Sequence, residues 1–239
     1  MNLKKQDIKM FNDLKKIVFN ANMFLKENNL VILTWGNVSL ITPDRKYVII
    51  KPSGVSYNDM KAEDMVVVDL EHNVVEGKLK PSSDTWTHIN IYKGFPNINS
   101  IVHTHSPFAT SWAQACSNIK TFGTTHADTF YGDIMCTRSL TSKEIETDYE
   151  KHTGDVIVKT FKGKDYLACP AILVANHGPF IWGTNPMKAV ENALILEEVA
   201  KMATLTQINS GMNPKEAPKF LQDKHYNRKH GKNAYYGQK

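Results

Sequence analysis

The spacing of apolar positions changes several times along the chain, and each change marks an element. Met10, Leu14, Ile17, Val18, Ala21 and Leu25 fall on one helical stripe, so residues 7–28 predict an amphipathic helix. The stretches "VSLIT" and "YVIIKPSG" flank the turn "PDRK" and predict a β-hairpin. "MVVVDL" and "NVVEG", around "EHN", make a second strand pair. Residues 84–94 predict a helix, "INSIVHTH" a buried strand, and Phe108–Cys116 another helix after Pro107. "ACPAILVANHGPFIWG" predicts two central strands broken at "NHGP". Asn185 as N-cap and Pro186 at the first helical position open a long helix running to about Ile208. Strands and helices interleave, yet many neighbouring strands are joined by tight turns. That pattern predicts an α/β fold whose antiparallel or mixed sheet is covered by helices, not a doubly wound parallel one.

At 239 residues and 27.0 kDa the chain fits one compact domain with no repeat or long linker. The basic start has no apolar segment behind it, so no signal peptide is expected. No apolar run approaches the roughly 20 residues of a membrane-spanning helix, so no membrane partner is expected. Cys116, Cys136 and Cys169 are odd in number and widely spaced, which points to reduced thiols and a cytoplasmic location. The net charge of +5 resides in residues 213–239, with seven Lys/Arg against two acids, while the preceding residues balance. This tail also carries three tyrosines and two histidines, too many rings for a plain nucleic-acid arm. A phosphorylated small molecule is the better match to that charge, and no nucleic acid is expected.

The chemistry concentrates at strand ends. His103 and His105, one residue apart after an apolar run, would project from one face of a strand. Such a pair can share a metal ion, stack, or sit at the surface. His177 follows a second apolar strand at a Gly-Pro turn, and three strand-end histidines can hold Zn²⁺ with positions left for a carboxylate, water or substrate. Asp84, at the start of a helix, is a candidate carboxylate ligand. "KPSG" (51–54) and "KPSSD" (80–84) offer hydroxyls and free backbone N–H groups suited to an anion. "TWGNVS" (34–39) is a third polar turn, in which Gly36 permits close backbone approach to a ligand. No dinucleotide fingerprint is present, so no nicotinamide cofactor is expected.

The segments "TWGNVS", "KPSG", "PSSDTWTH", "HTHS", "GTTHADTFYGD", "NHGPFIWG" and "KHYNRKHGKNAYYGQ" together resemble the class II aldolase/epimerase superfamily. That superfamily also includes L-fuculose-1-phosphate aldolase and the adducin head; the order of the segments resembles its L-ribulose-5-phosphate 4-epimerase branch. The resemblance covers the chain from about residue 8 onward. It implies a three-layer fold and a single domain over 1–239, with the tail 213–239 completing the active site. It implies one divalent metal per chain (Zn²⁺, or Mn²⁺ or Co²⁺) on Asp84, His103, His105 and His177. It further implies catalytic roles for Asp128 and Tyr236, with Tyr235 the adjacent alternative. Substrate contacts are implied for Gly36, Asn37, Lys51, Ser53, Gly54, Ser82 and Ser83, with a phosphorylated ketopentose as substrate. A homotetramer with active sites at subunit interfaces is implied as well. Aldolases of the superfamily carry Glu at position 84, so Asp84 fits the epimerase pattern.

The implied reaction inverts C4 of L-ribulose 5-phosphate to give D-xylulose 5-phosphate. Retro-aldol cleavage leaves a metal-stabilised enediolate, and the aldehyde turns before re-adding. Two alternatives stay open at this level. One is a class II sugar-phosphate aldolase that lets the aldehyde escape; the other is a non-catalytic adducin-like module, which should have lost its metal ligands. L-arabinose and ascorbate breakdown both use this chemistry, and the sequence does not choose between them.

Overall fold

The structure, a computed structural model, describes residues 5–237. The extreme ends of the chain, including the last two residues of the basic tail, lie outside them. Seven strands form one sheet: β1 (Asn37–Ile41), β2 (Tyr47–Ile50), β3 (Val66–Asp69), β4 (Val74–Glu76), β5 (Ser100–His103), β6 (Ala171–Val174) and β7 (Gly178–Gly183). Their order across the sheet is β4-β3-β2-β1-β5-β7-β6, and all six pairings are antiparallel. The helices among the described residues are α1 (Lys5–Glu27), α2 (Thr85–Gly94), α3 (Pro107–Gln114), α4 (Thr124–Ala127), α5 (Ser142–Glu146), α6 (Tyr149–Thr160), α7 (Pro186–Asn209) and α8 (Lys219–His230).

Period-two alternation sends successive side chains to opposite faces, and here both faces are covered. Val38, Val102, Leu173 and Ile181 pack with α1, α3 and α7 on one side. Ile41, Ile101, Ile172, Phe180 and Trp182 pack with α2 and α6 on the other. The result is a three-layer α/β sandwich, and burial on both faces explains why these antiparallel strands read as unbroken apolar runs. None of the helices is long and apolar enough to cross a membrane, among the described residues. Cys116, Cys136 and Cys169 are free thiols.

Two expectations need correction. β6 is not central: it is the last strand of the sheet. Its apolar character comes from a covering segment, because Leu173 N–H donates to the Met135 carbonyl at 2.8 Å and Thr137 N–H donates to the Leu173 carbonyl at 2.8 Å. In addition, β5 ends at His103, so His105 is not a strand residue and its position is set by the turn into α3.

That turn is anchored from α7. The buried Glu197 carboxylate accepts the Phe108 N–H at 2.8 Å and the Ala109 N–H at 2.9 Å, satisfying two free amides at the start of α3. Replacing Glu197 by Ala should lower stability by about 1.5–3 kcal/mol, the range for hydrogen bonds to a charged group, read as a lower midpoint in urea unfolding.

Candidate active site

Three strand ends and one helix start converge on a cleft of about 560 Å³. His103 closes β5 and pairs with Asn37 of β1 and Phe180 of β7, so these three share the sheet face under α2. His177 sits in the turn from β6 to β7, after Asn176, whose φ of 63° is one that Asn tolerates. His103, His105 and His177 bring one ring nitrogen each to within 4.8 Å of one another.

The arrangement fits a metal ion. His103 Nδ1–H donates to the Pro179 carbonyl at 2.9 Å, which fixes the tautomer and leaves Nε2 bare. That Nε2 lies 3.0 Å from His105 Nε2. Nitrogens on a tetrahedral ion with bonds of about 2.0–2.1 Å lie about 3.3 Å apart, so little movement is needed. Burial, and then the neighbouring His103, push His105 down to about 4 and His177 down to about 3. The rings are therefore neutral near pH 7, the form that donates to a metal.

Asp84 is the N-cap residue of α2, yet its side chain makes no capping bond. Its carboxylate instead accepts from Asn37 Nδ2 at 2.7 Å. Burial by itself would raise this carboxyl, but the His103, His88 and His177 rings and the Asn37 bond outweigh it and hold the group ionised. The cleft thus combines three imidazoles and one carboxylate.

Beside them stands a wall of paired turns whose donors suit an anion. The two Lys-Pro-Ser turns pair with each other: Ser53 N–H donates to the Lys80 carbonyl at 2.9 Å and Ser82 N–H to the Lys51 carbonyl at 3.0 Å. This places Ser53 and Gly54 next to Ser82 and Ser83, where α2 begins and its N-terminal dipole favours negative charge. Gly36, Asn37, Lys51, Ser53, Gly54, Ser82, Ser83, Asp84, His105 and His177 all line the same cleft. Gly36 has φ of 74°, and a Cβ there would meet the His103 carbonyl oxygen at 2.8 Å, so the turn approaches the metal-site strand as only glycine can.

Lys51 is placed differently from a free phosphate ligand. Its side chain is buried, and Nζ donates to the carbonyls of Thr34 (3.2 Å), Pro52 (3.3 Å) and Val55 (2.9 Å). Its hydrogens tie the 34–37 turn to the 52–55 turn, so it serves the cleft by holding two walls together. Lys51→Met should speed amide exchange at Ser53 and Tyr57 in the ligand-free protein. A lysine acting only on bound phosphate would leave those amides unchanged.

Tyr149 and Glu150, at the start of α6, also line the cleft, and the Tyr149 hydroxyl lies 3.3 Å from His177 Nδ1. The sequence reading missed both, because its only signal there was an unremarkable Tyr-Glu pair.

Asp128 and Tyr236 do not line this cleft. They form a second cluster between α4 and α8. Arg228 donates to Asp128 through Nε (2.9 Å) and Nη2 (2.6 Å), and His225 Nδ1 lies 3.1 Å away. Burial alone would raise the Asp128 carboxyl, but Arg228, His225 and Lys229 hold it below the usual carboxylate range. Tyr236 lies under the same cations, its ring centroid 4.8 Å from the Arg228 Cζ and 4.4 Å from the Lys229 Nζ. Tyr235 and Tyr236 are both exposed.

The fold and the cleft agree with the sequence comparisons. The profile of the Class II Aldolase and Adducin N-terminal domain family matches residues 16–204, and the chain belongs to that family. The profile ends within α7, so α8 and the tail lie beyond it. Over 238 residues, the chain is 57% identical to a protein of Mycoplasma pneumoniae named "Probable L-ribulose-5-phosphate 4-epimerase UlaF", covering 97% of both chains. It is 53% identical to "L-ribulose-5-phosphate 4-epimerase UlaF" of Salmonella paratyphi A, over 95% of this chain and 99% of that one. Among solved structures, an L-fuculose 1-phosphate aldolase shares the fold at a TM-score of 0.74 and 24% identity, covering 90% of this chain and 95% of its own.

Proposed function

We propose that this chain is a metal-dependent isomerase that inverts C4 of L-ribulose 5-phosphate, giving D-xylulose 5-phosphate. The observation that carries the reading is the cleft itself: three clustered imidazoles and the Asp84 carboxylate stand beside two paired Lys-Pro-Ser turns at a helix start. A metal donor set next to an anion-binding wall suits a phosphorylated, oxygen-rich sugar.

The hydrogen on C4 of a 2-ketose is not adjacent to the carbonyl, so direct proton abstraction is unfavourable. Breaking and remaking the C3–C4 bond inverts the centre instead. Asp84, His103, His105 and His177 would hold a divalent ion, which we assign as Zn²⁺ with Mn²⁺ and Co²⁺ as substitutes and which would supply Lewis acidity to the sugar's oxygens. Asn37, Ser53, Gly54, Ser82 and Ser83 grip the phosphate, so that the aldehyde fragment turns over without leaving. Lys51 keeps their loops in register. Two proton-transfer groups are needed on opposite sides of the aldehyde, because the C4 oxygen points differently in the two epimers.

We assign these to Asp128 and Tyr236, supplied to each cleft by a neighbouring subunit of a homotetramer. Asp128 and Tyr236 cluster in one chain while neither lines that chain's own cleft, which supports this arrangement. The single domain, 1–239, would then end in a tail that completes a partner's site. Free thiols suit a reducing, cytoplasmic compartment. Incubating the metal-loaded protein with L-ribulose 5-phosphate and assaying D-xylulose 5-phosphate tests the reading. Release of glycolaldehyde phosphate as fast as substrate is consumed would replace it with an aldolase.

A further inference from the structure

His88 was not among the residues expected to act. It lies one turn beyond Asp84 on α2, and Tyr92 lies one turn further, so the three share a helix face. His88 and Ser39 are fully buried, and Tyr92 is 1% exposed. The His88 Nδ1 is 2.7 Å from the Ser39 Oγ, and that oxygen is 2.8 Å from the Tyr92 hydroxyl. The distances favour one order of protons along these hydroxyls. Tyr92 has a second acceptor, the Asn99 carbonyl, at 3.4 Å, so its hydrogen goes to the nearer Ser39. Ser39 then donates its own hydrogen to His88 Nδ1.

A neutral imidazole that accepts at Nδ1 carries its hydrogen at Nε2. Nε2 is buried and finds no partner among the described residues. A buried N–H left unpaired is costly, so such a group is retained for a reason. Nδ1 is taken up by Ser39, and Asp84 stands one turn toward the start of the same helix, on the face that carries the ring. The titratable groups that act on the ring are Asp84 and His103. Phe180 backs both rings, stacking on His103 at 4.2 Å and meeting His88 edge-on at 5.9 Å.

We propose that His88 is a positioning residue of the metal centre: the Tyr92–Ser39–His88 chain fixes its tautomer so that Nε2–H faces the Asp84 carboxylate and steadies it for the ion. The inference rests on the metal-site reading above. It makes α2 a support running from the sheet interior to the cleft, with one hydrogen-bonding group per turn. Groups that orient metal ligands from behind typically contribute 10–100-fold in metal affinity.

The test is Co²⁺ affinity of the full chain by competition with a chromophoric chelator, alongside thermal melting of the metal-stripped protein. Wild type should bind Co²⁺ and His103→Asn should lose it. His88→Phe fills the ring's space without a donor and should bind about 10–100-fold more weakly. His88→Gln keeps an N–H near the Nε2 position and should recover most of the loss. Ser39→Ala and Tyr92→Phe, which release the tautomer, should shift affinity in the same direction by less. A folded His88→Phe that binds Co²⁺ like wild type, while His103→Asn does not, overturns the role of His88 alone. If His88→Phe does not fold, unchanged affinity in both Ser39→Ala and Tyr92→Phe overturns it. A wild type that binds no Co²⁺ overturns the metal-site reading and this inference with it.

Discussion

Replacing His103 by Asn should empty the metal site and cut epimerase turnover by about 10³-fold or more, since Lewis-acid stabilisation is worth several kcal/mol. His103 is the buried member of the cluster, and its Nδ1 is committed to the Pro179 carbonyl. The shorter Asn cannot keep that bond and still present a donor where Nε2 stood. His177→Asn should do the same with less effect on folding, because His177 is half-buried in a turn. Elemental analysis together with turnover on L-ribulose 5-phosphate checks both variants. Full metal occupancy in the two would refute the ligand set.

The second large effect belongs to the other cluster. Tyr236→Phe and Asp128→Asn should each lower epimerisation by about 10²-fold or more, the usual range for a lost acid–base group, with metal content unchanged. The two variants should fail to rescue one another in mixed oligomers, because Asp128 and Tyr236 stand together around Arg228 of one chain. Mixing Tyr236→Phe with His103→Asn is different. One protomer then offers an intact cleft and the other an intact proton-transfer pair, so a fraction of the sites regains activity. Absence of rescue in verified mixed oligomers would argue against sites shared between subunits.

The strands and the long helices were legible because burial on both sheet faces wrote continuous apolar runs, and because α1 and α7 are long enough for their signals to stand out. Residues 117–168 gave no comparable pattern. Helices α4 and α5 span four and five residues, too few for a period to show. The metal-site histidines announced themselves by standing at the ends of apolar runs. The three rings do come together, although for His105 the premise, a strand through residue 105, does not hold; the α3 turn and Glu197 put the ring in place instead. His88 was invisible, since "TWTHIN" looks like any helix turn, and its meaning lies in Ser39, a residue 49 positions away. The Asp128–Arg228 pair spans 100 positions and could not be inferred from either segment alone. Lys51 shows the converse limit: its motif suggested an anion, whereas burial turned its amine toward carbonyls.

The covered β6 has a consequence for how copies of this chain can meet. An exposed strand edge is a template on which another chain can add, and this sheet has sealed one of its two edges with residues 135–137. The remaining edge, β4, is three residues long, its ladder with β3 is irregular at Val67/Val68, and its Glu76 is paired with Lys15 of α1. Such an edge gives a runaway fibre little to grow from. Copies that assemble would then meet through helices and loops, the surfaces that can close a ring of defined size.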